Sequence, residues 1–377
     1  MSMSYQIVVG DCRTELEKLA SESIDCVVTS PPYYGLRDYG TASWSGGDKD
    51  CTHEVGRRTR GGDLTVQDGN MGSYGDEAIK NGGACPHCGA IRQDAQVGLE
   101  NSMQEYIESM VGIFREIRRV LKPEGTVWLN IGDSYVGSRK GKMGDGTATG
   151  GKMQRKNKGS MQGRLNKSKA IGLKPKDIMG VPWRLAFALQ EDGWWLRQDI
   201  IWAKPNPMPE SVRDRCTKSH EYIFLLTKSK KYYFDSKAIK EPRADSSIAR
   251  DKRGRSTKGK YADGFKGQKQ QGISAPRTND TERDASTTRN KRSVWTISTK
   301  NFKGAHFATF PHDLIEPCII AGCPKYGTVL DPFAGSGTTA GVAEVFDRNS
   351  LMIELNYEYA KMIPARIKDI KKRYGME

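Results

Sequence analysis

The segment VLDPFAGSGTTAGVAEVF, residues 329–346, decides the fold. Its pattern predicts a buried strand that ends at Asp331, a loop that contains Gly335 and Gly337, and then a helix. Glycine tolerates positive φ and lets a ligand approach the backbone closely. No lysine follows the glycines as in a P-loop, and Ala340 stands where the dinucleotide fingerprint has its third glycine. The loop is therefore either a plain tight turn or a site for another kind of ligand.

Two carboxylates indicate what that ligand is. Asp331 ends the strand before the loop, and Glu354 ends the next predicted strand, LMIEL at 351–355. An acidic side chain at the end of the second strand of a Rossmann-like unit binds ribose hydroxyls. Asp331 would repel a pyrophosphate but would tolerate a cation. The pair therefore favours an adenosyl group that carries a positive charge over a dinucleotide.

Predicted strands and helices alternate along the rest of the chain. The strands include YQIVVG (5–10), IDCVVT (24–29) and TVWLNIG (126–132), and the helices include 103–121 and 312–322. This alternation predicts an α/β fold with a Rossmann-like, doubly wound, mostly parallel sheet that helices cover on both faces. Ligands of such sheets bind at the carboxyl ends of the strands.

A rigid corner follows the strand at 24–29. It consists of Ser30, Pro31, Pro32 and Tyr33. Proline fixes φ and cannot donate a backbone hydrogen bond, so strand pairing ends there. One interpretation is that the motif only terminates the strand. The other is that it holds a hydroxyl and an aromatic ring at the mouth of a binding site.

Composition and charge narrow the class of protein. The 377 residues contain no apolar run of membrane-spanning length, and Met1–Gly10 lacks a signal-peptide pattern, which predicts a soluble intracellular protein. Eight cysteines are too few for a disulfide scaffold. The net charge of +15 is concentrated in residues 139–170, with ten basic and one acidic side chain, and 240–292, with fifteen basic and seven acidic ones. These segments are either solvated loops or tracks for a polyanion.

Together, VTSPPY (28–33) and DPFAGSGTT (331–339) closely resemble the paired signatures of amino-group DNA methyltransferases. These S-adenosylmethionine-dependent enzymes methylate cytosine N4 or adenine N6. The flanking sequence shares the resemblance over most of the chain, apart from the basic segments and residues 41–95. The catalytic signature precedes the cofactor loop, as in the circularly permuted β group, whereas protein-glutamine and many RNA methyltransferases have the opposite order. The resemblance implies a class I methyltransferase fold and double-stranded DNA as substrate.

The resemblance also assigns roles to the corner. The Ser30 hydroxyl and the Pro31 carbonyl would accept hydrogen bonds from the exocyclic amine, held in place by Pro31 and Pro32. Tyr33 would stack on the flipped base. Attack on the sulfonium methyl would then be a direct in-line transfer, without a covalent enzyme intermediate.

The cofactor residues follow by the same resemblance. Glu354 would bind the ribose, and Asp11 would lie near the adenine, although Asp11 also fits a helix N-cap and the two roles can coexist. The remaining predicted cofactor residues are Thr309, Phe310, Pro311, Asp331, Pro332, Phe333, Gly335, Ser336, Gly337 and Thr338.

The identity of the base stays open. Serine at position 30 resembles the cytosine-N4 signature, whereas adenine-N6 enzymes more often have Asp or Asn there. Either side chain accepts a hydrogen bond from an amine, so we favour cytosine N4 and keep adenine N6 as the alternative. An RNA methyltransferase and a catalytically silent DNA-binding protein fit less well.

Four metal-ligand side chains fall in one insertion. They are Cys51, His53, Cys85 and Cys88. Cys-x₂-Cys followed by Gly is typical of a zinc knuckle, and similar insertions occur in phage-type members of the family. A structural Zn²⁺ would stabilise a segment that has little core of its own. The alternative is four reduced, unliganded side chains, and redox chemistry fits less well because no thioredoxin-like pattern surrounds them.

These predictions divide the chain into five parts. Residues 1–40 begin the catalytic half, 41–98 form the insertion, 99–203 complete the catalytic half with the basic loop 139–170, 204–305 form a target-recognition region, and 306–377 bind the cofactor. Predicted DNA contacts are Arg250, Lys252, Arg253, Arg255, Lys258, Arg155 and Lys156. A bacterial or phage-infected cytoplasm near the nucleoid is the expected location, with or without a cognate restriction nuclease.

Overall fold

The computed structural model describes residues 4–35, 39, 41–53, 82–136, 172–252, 287–300 and 309–376. The chain divides into two compact units, Met1–Phe234 with Ser293–Glu377, and Asp235–Arg292. Among the described residues we find no helix with the length and apolar character that a bilayer crossing requires.

The secondary structure alternates as predicted. The strands are β1 Tyr5–Val9, β2 Ile24–Thr29, β3 Ser43–Ser45, β4 Ile91–Gln93, β5 Leu121–Ile131, β6 Trp195–Ala203, β7 His220–Thr227, β8 Glu241–Pro242, β9 Thr288–Arg289, β10 Val294–Thr296, β11 Thr328–Asp331 and β12 Asn349–Glu354. The helices are α1 Cys12–Glu17, α2 Met103–Val120, α3 Val181–Glu191, α4 Asp245–Lys252, α5 His312–Gly322, α6 Thr338–Val345, α7 Tyr357–Ala360 and α8 Ile363–Arg373.

Eight of these strands form one sheet in the order β1-β12-β11-β2-β5-β7-β6-β10. All neighbours are parallel except β5 with β7 and β7 with β6, so the predicted mostly parallel sheet is confirmed. The strand β10 was not predicted: its three residues lie within the segment assigned to target recognition, yet they pair with β6. A short edge strand of three residues carries little hydrophobic pattern for a sequence to reveal.

Helices cover both faces of the sheet, as a doubly wound fold requires. On β5, Val127 and Leu129 belong to the same apolar core as Phe114 of α2. The alternate side chain of Trp128 lies against Gly322 at the end of α5, where any Cβ would collide with the indole nitrogen. Alternating side chains of one strand therefore face two different helix layers.

The order of the strands brings three chain segments to one edge. β2, β11 and β12 are neighbours and run parallel, with Val27 opposite Leu330 and Leu330 opposite Leu351. Their carboxyl ends consequently lie side by side, at Thr29, Asp331 and Glu354. We refer to these three strand ends and the loops that follow them as the sheet edge.

Candidate active site

The two signature motifs converge at the sheet edge, although they lie at opposite ends of the sequence. The Thr29 hydroxyl donates a 2.7 Å hydrogen bond to Asp331 across 302 positions of sequence. A cavity of about 820 Å³, including its open mouth, lies above them. Ser30 and Pro32 line it together with Phe333 and Gly335. The corner and the glycine loop therefore share one binding site.

Most predicted cofactor residues line this cavity. They are Asp11, Thr309, Phe310, Pro332, Phe333, Gly335, Ser336, Thr338 and Glu354. Asp11 is at the same time the N-cap of α1, because its carboxylate accepts a 3.0 Å hydrogen bond from the backbone N–H of Arg13. Both roles predicted for this position are thus compatible with where its side chain lies.

Glu354 presents a buried carboxylate to the cavity. Its two oxygens accept hydrogen bonds from the backbone N–H groups of Gly335, at 2.7 Å, and Asn356, at 2.8 Å. Burial nevertheless raises the pKa of Glu354 to about 7, more than these two hydrogen bonds lower it. The carboxylate therefore fixes the glycine loop and lines the cavity.

Asp331 lies behind the cavity wall and not among the lining residues predicted for it. It is 1% exposed, and its carboxylate accepts hydrogen bonds from Thr29, Thr339 and the backbone N–H of Phe333. Burial raises its pKa to about 6 despite these bonds. Because all three donors lie in or beside the motifs, Asp331 holds the corner and the loop together.

Two further predicted residues lie behind the cavity wall. Gly337 precedes α6 with φ +83°, and a Cβ there would lie 2.5 Å from Ile363. Pro311 is the N-cap residue of α5 and is buried. Both residues shape the loops that carry lining residues. The predicted set therefore includes residues that support the cavity wall without lining the cavity.

Contacts with the Pro32 carbonyl hold the backbone of the proline corner in place. Pro31 is buried, and the Tyr106 hydroxyl donates a 3.1 Å hydrogen bond to the Pro32 carbonyl. Gly98 lies against this carbonyl too, since a Cβ there would approach it to 3.3 Å. The anchoring leaves the Ser30 side chain on the cavity wall.

Tyr33 does not line the same cavity. Its ring is partly buried against the core, and its hydroxyl donates a 2.8 Å hydrogen bond to Glu221 on β7. Asn130 on β5 lies 3.4 Å from the same hydroxyl. Sequence reasoning missed Glu221 and Asn130, because each sits in an apolar run that predicts only a buried strand.

An additional wall of the cavity comes from residues 41–53 and 82–98, which we refer to as the inserted segment. Within it, β3 and β4 pair antiparallel, and Thr41, Ala95, Gln96 and Val97 line the cavity. The Thr41 hydroxyl donates to Asp94 at 2.8 Å, and Arg92 forms an ion pair with the same carboxylate at 2.9 Å. No sequence motif indicated that this segment reaches the cofactor residues.

The inserted segment also gathers the four predicted metal ligands. The donor atoms of Cys51, His53, Cys85 and Cys88 all lie within 4.8 Å of one another. The Cys51 and Cys85 sulfurs are 3.9 Å apart, and the Cys88 sulfur is 3.5 Å from Nδ1 of His53. A tetrahedral zinc with bonds of about 2.3 Å to sulfur and about 2.0 Å to nitrogen needs separations of roughly 3.8 and 3.5 Å. The donor set therefore fits zinc in both type and spacing.

Two contacts act on the side chains of this cluster. The His53 ring stacks on Trp44 of β3 with centroids 4.4 Å apart, which fixes the orientation of the imidazole. The backbone N–H of Ala90 lowers the pKa of the Cys88 thiol, and so favours the thiolate that binds metal.

Most of the predicted DNA contacts lie outside the residues that the structure describes. Arg250 and Lys252 belong to α4, in the unit Asp235–Arg292. The others, Arg253, Arg255, Lys258, Arg155 and Lys156, lie outside the described residues, as does the whole basic loop 139–170.

Comparison with known proteins adds to this geometry. Residues 24–364 match the family of N6/N4 methyltransferases described as DNA methylase. The type II methyltransferase M.SmaI of Serratia marcescens is 42% identical over 367 residues, covering 97% of this chain and 91% of that protein. M.Cfr9I of Citrobacter freundii is 38% identical and covers 95% of this chain and 86% of that protein.

Solved structures share the fold at low sequence identity. The PvuII DNA methyltransferase, described as cytosine-N4-specific, superposes with a TM-score of 0.52 at 15% identity and covers 99% of this chain and 93% of its own. A protein of Thermus thermophilus described as a DNA modification methylase, in complex with S-adenosyl-L-methionine, gives 0.50 at 17% identity, covering 97% and 94%.

Proposed function

Because the chain belongs to the DNA methylase family of N6/N4 amino-methyltransferases, we propose that it methylates cytosine N4 in double-stranded DNA at the cavity of the sheet edge. The chain is an S-adenosylmethionine-dependent DNA amino-methyltransferase. The observation that carries the proposed site is the convergence of Ser30 and Pro32 with Phe333, Gly335 and Glu354 on one cavity.

The cavity residues fit the cofactor by their chemistry. S-adenosylmethionine supplies an activated methyl group on a sulfonium centre. Glu354 accepts from ribose hydroxyls, while the glycine loop leaves room for a ligand against its backbone. Phe310 and Phe333 offer apolar faces for the adenine or the methionine chain. No positively charged side chain is among the lining residues in the described part of the chain, which suits a cationic ligand.

The corner prepares the nucleophile. An exocyclic amine is a weak nucleophile because its lone pair is delocalised into the ring. The Ser30 hydroxyl and the Pro31 carbonyl accept its two N–H bonds and draw it toward a pyramidal geometry. The two prolines hold both acceptors rigidly, so that positioning supplies most of the acceleration. Tyr33 lies outside the cofactor cavity, three residues after Ser30, and would stack on a base that enters beside Ser30, a contact worth about 1–3 kcal/mol.

Two observations support cytosine N4 as the target atom. Serine occupies the first position of the corner, as in the cytosine-N4 signature. The PvuII DNA methyltransferase, which shares the fold, is cytosine-N4-specific. Adenine N6 remains the alternative.

The test is transfer of labelled methyl to DNA, followed by nucleoside mass spectrometry. Wild-type protein should produce N4-methylcytosine, and Ser30→Ala should lower kcat by about 10²-fold because one preorganised hydrogen bond is lost. Ser45→Ala changes an exposed serine of β3 and should be neutral. N6-methyladenine would identify the other base, and label in RNA alone would refute the proposal.

The Cys/His cluster is proposed to hold a structural Zn²⁺ through Cys51, His53, Cys85 and Cys88. A closed set of three thiolates and one imidazole leaves no open position for chemistry, so the metal would stabilise the inserted segment.

Residues 204–305 and the basic loop 139–170 are proposed to contact DNA, since their excess positive charge suits phosphate binding. A bacterial or phage-infected cytoplasm holds such a substrate, and a companion nuclease recognising the same site is compatible with this activity.

A further inference from the structure

Behind the corner lies a chain of polar contacts that runs from Lys204 through Glu221 and Tyr33 to Ser30. We propose that Glu221, held by Lys204, is a positioning residue that fixes the polarity of this chain so that Ser30 faces the target amine as a hydrogen-bond acceptor. The proposal rests on the proposed function of Ser30.

The contacts form a continuous path. Lys204 forms an ion pair with one oxygen of Glu221, and the two side chains are only 17% and 18% exposed. The other oxygen of Glu221 lies 2.8 Å from the Tyr33 hydroxyl. The Ser30 hydroxyl lies 3.5 Å from the same phenol oxygen. The last contact is long, as is common for active-site hydrogen bonds before a substrate is bound.

The chemistry of the groups gives this path a direction. A carboxylate only accepts hydrogen bonds, so the single proton of the Tyr33 hydroxyl points to Glu221. Burial raises the pKa of Tyr33 well above its ordinary value, so the phenol keeps that proton. Its oxygen then has only lone pairs left for Ser30, and the serine proton turns toward Tyr33. The free lone pairs of Ser30 are left on the cavity side.

Asn130 strengthens the same direction. Its Nδ2 donates to Glu221 at 3.3 Å and to the Tyr222 carbonyl at 3.1 Å, which turns its Oδ1 toward the Tyr33 hydroxyl. That oxygen lies 3.4 Å from the hydroxyl, against 2.8 Å for Glu221. Asn130 therefore adds a second acceptor near the phenol and no competing donor.

The polarity matters for the reaction because Ser30 has one proton and two possible orientations. A serine that donated to the amine nitrogen would engage the lone pair that must attack the methyl group. A serine that accepts from the amine leaves this lone pair free. Preorganising such a dipole before the substrate arrives avoids reorganisation during the reaction.

The experiment compares Glu221→Gln, Tyr33→Phe and the double variant. Glutamine keeps the shape of Glu221 but turns an N–H donor toward the phenol or the lysine. We expect Glu221→Gln to lower kcat about tenfold or more with KM for DNA and cofactor nearly unchanged. In the Tyr33→Phe background it should add almost nothing, since the chain is already broken there.

Controls separate this role from folding and from the proposed function. Glu116→Gln on α2 removes a 2.8 Å pairing with Arg119, outside the cavity and the proposed DNA-contacting segments, and should leave kcat unchanged. Should Glu221→Gln unfold, Lys204→Gln and Tyr33→Phe decide, and both should lower kcat in folded protein. Wild-type kcat for Glu221→Gln, or losses that add fully in the double variant, would overturn the inference. Absence of DNA methylation by the wild-type protein would instead refute the proposed function.

Discussion

The cofactor cavity has two walls that are stable for different physical reasons. The sheet edge rests on strands whose apolar residues, such as Leu330 and Val27, are fully buried. The inserted segment has two strands of three residues each and a cluster of four donors. The first wall draws its stability from the hydrophobic core, whereas the second joins that core through Val97 and otherwise depends on polar contacts and the proposed metal. One binding site can therefore be weakened from either wall separately.

The strongest test of the sheet edge is Gly337→Ala. Gly337 has φ +83°, and a Cβ would lie 2.5 Å from Ile363. Left-handed strain and overpacking together should lower the free energy of unfolding by about 3 kcal/mol, measured by urea denaturation. The control is Gly375→Ala, where φ is +72° but no heavy atom lies within 4 Å. It should cost only about 1 kcal/mol. Equal losses would show that packing at the loop contributes nothing.

A second test of the sheet edge uses pH. Burial raises the pKa of Glu354 from 4.5 to about 7, so the folded protein binds this proton more tightly than the unfolded chain does. The contribution of Glu354 to the free energy of unfolding should therefore be largest below pH 4.5 and fall by about 1–3 kcal/mol as pH rises to about 7. Glu354→Gln should remove this contribution and leave the smaller slope that Asp331 adds, because burial raises the pKa of that carboxyl to about 6. The exposed Glu358→Gln should keep it, and an unchanged slope in Glu354→Gln would contradict the assignment.

The smallest expected effect concerns the inserted segment. Purified protein should contain about one equivalent of zinc, as four ligands imply. Chelation, or Cys88→Ser, should weaken cofactor binding about tenfold. Without the metal, one or two wall residues such as Thr41 and Gln96 would have to be ordered when the cofactor binds, which costs conformational entropy. The midpoint of sheet unfolding should barely move. Cys216→Ser, which changes an exposed thiol, is the matched control. Full cofactor affinity in metal-free protein would refute the proposed role of zinc at this wall.

The parts of the site that carry a local pattern could be predicted from the sequence. Strand periodicity and the two motifs predicted the sheet and the convergence of Ser30 with Gly335. Asp331 was expected on the cavity surface but lies behind it, because a motif does not reveal which side of the loop its carboxylate faces. Thr29 and Thr339, which bind it, lie inside the two motifs, but their place in the sequence does not show that they face Asp331.

Residues that act through long-range pairing left no local trace. Glu221 approaches Tyr33 because β7 pairs antiparallel with β5, in a register that places Asn130 opposite Ile223. That register is set by the packing of the whole sheet and not by the residues around Glu221. Thr41 and Gln96 reach the cavity in the same way, through the pairing of β3 with β4.

The hydrogen bond between Thr29 and Asp331 joins positions 302 residues apart, and this separation has a consequence for biosynthesis. When the first three hundred residues have been synthesised, the polypeptide is still inactive, because Asp331 and the glycine loop of the cofactor cavity have not yet been made. Contacts of such sequence separation form late and slowly. At about 5–20 residues per second, translation itself sets a delay before newly made protein marks any DNA.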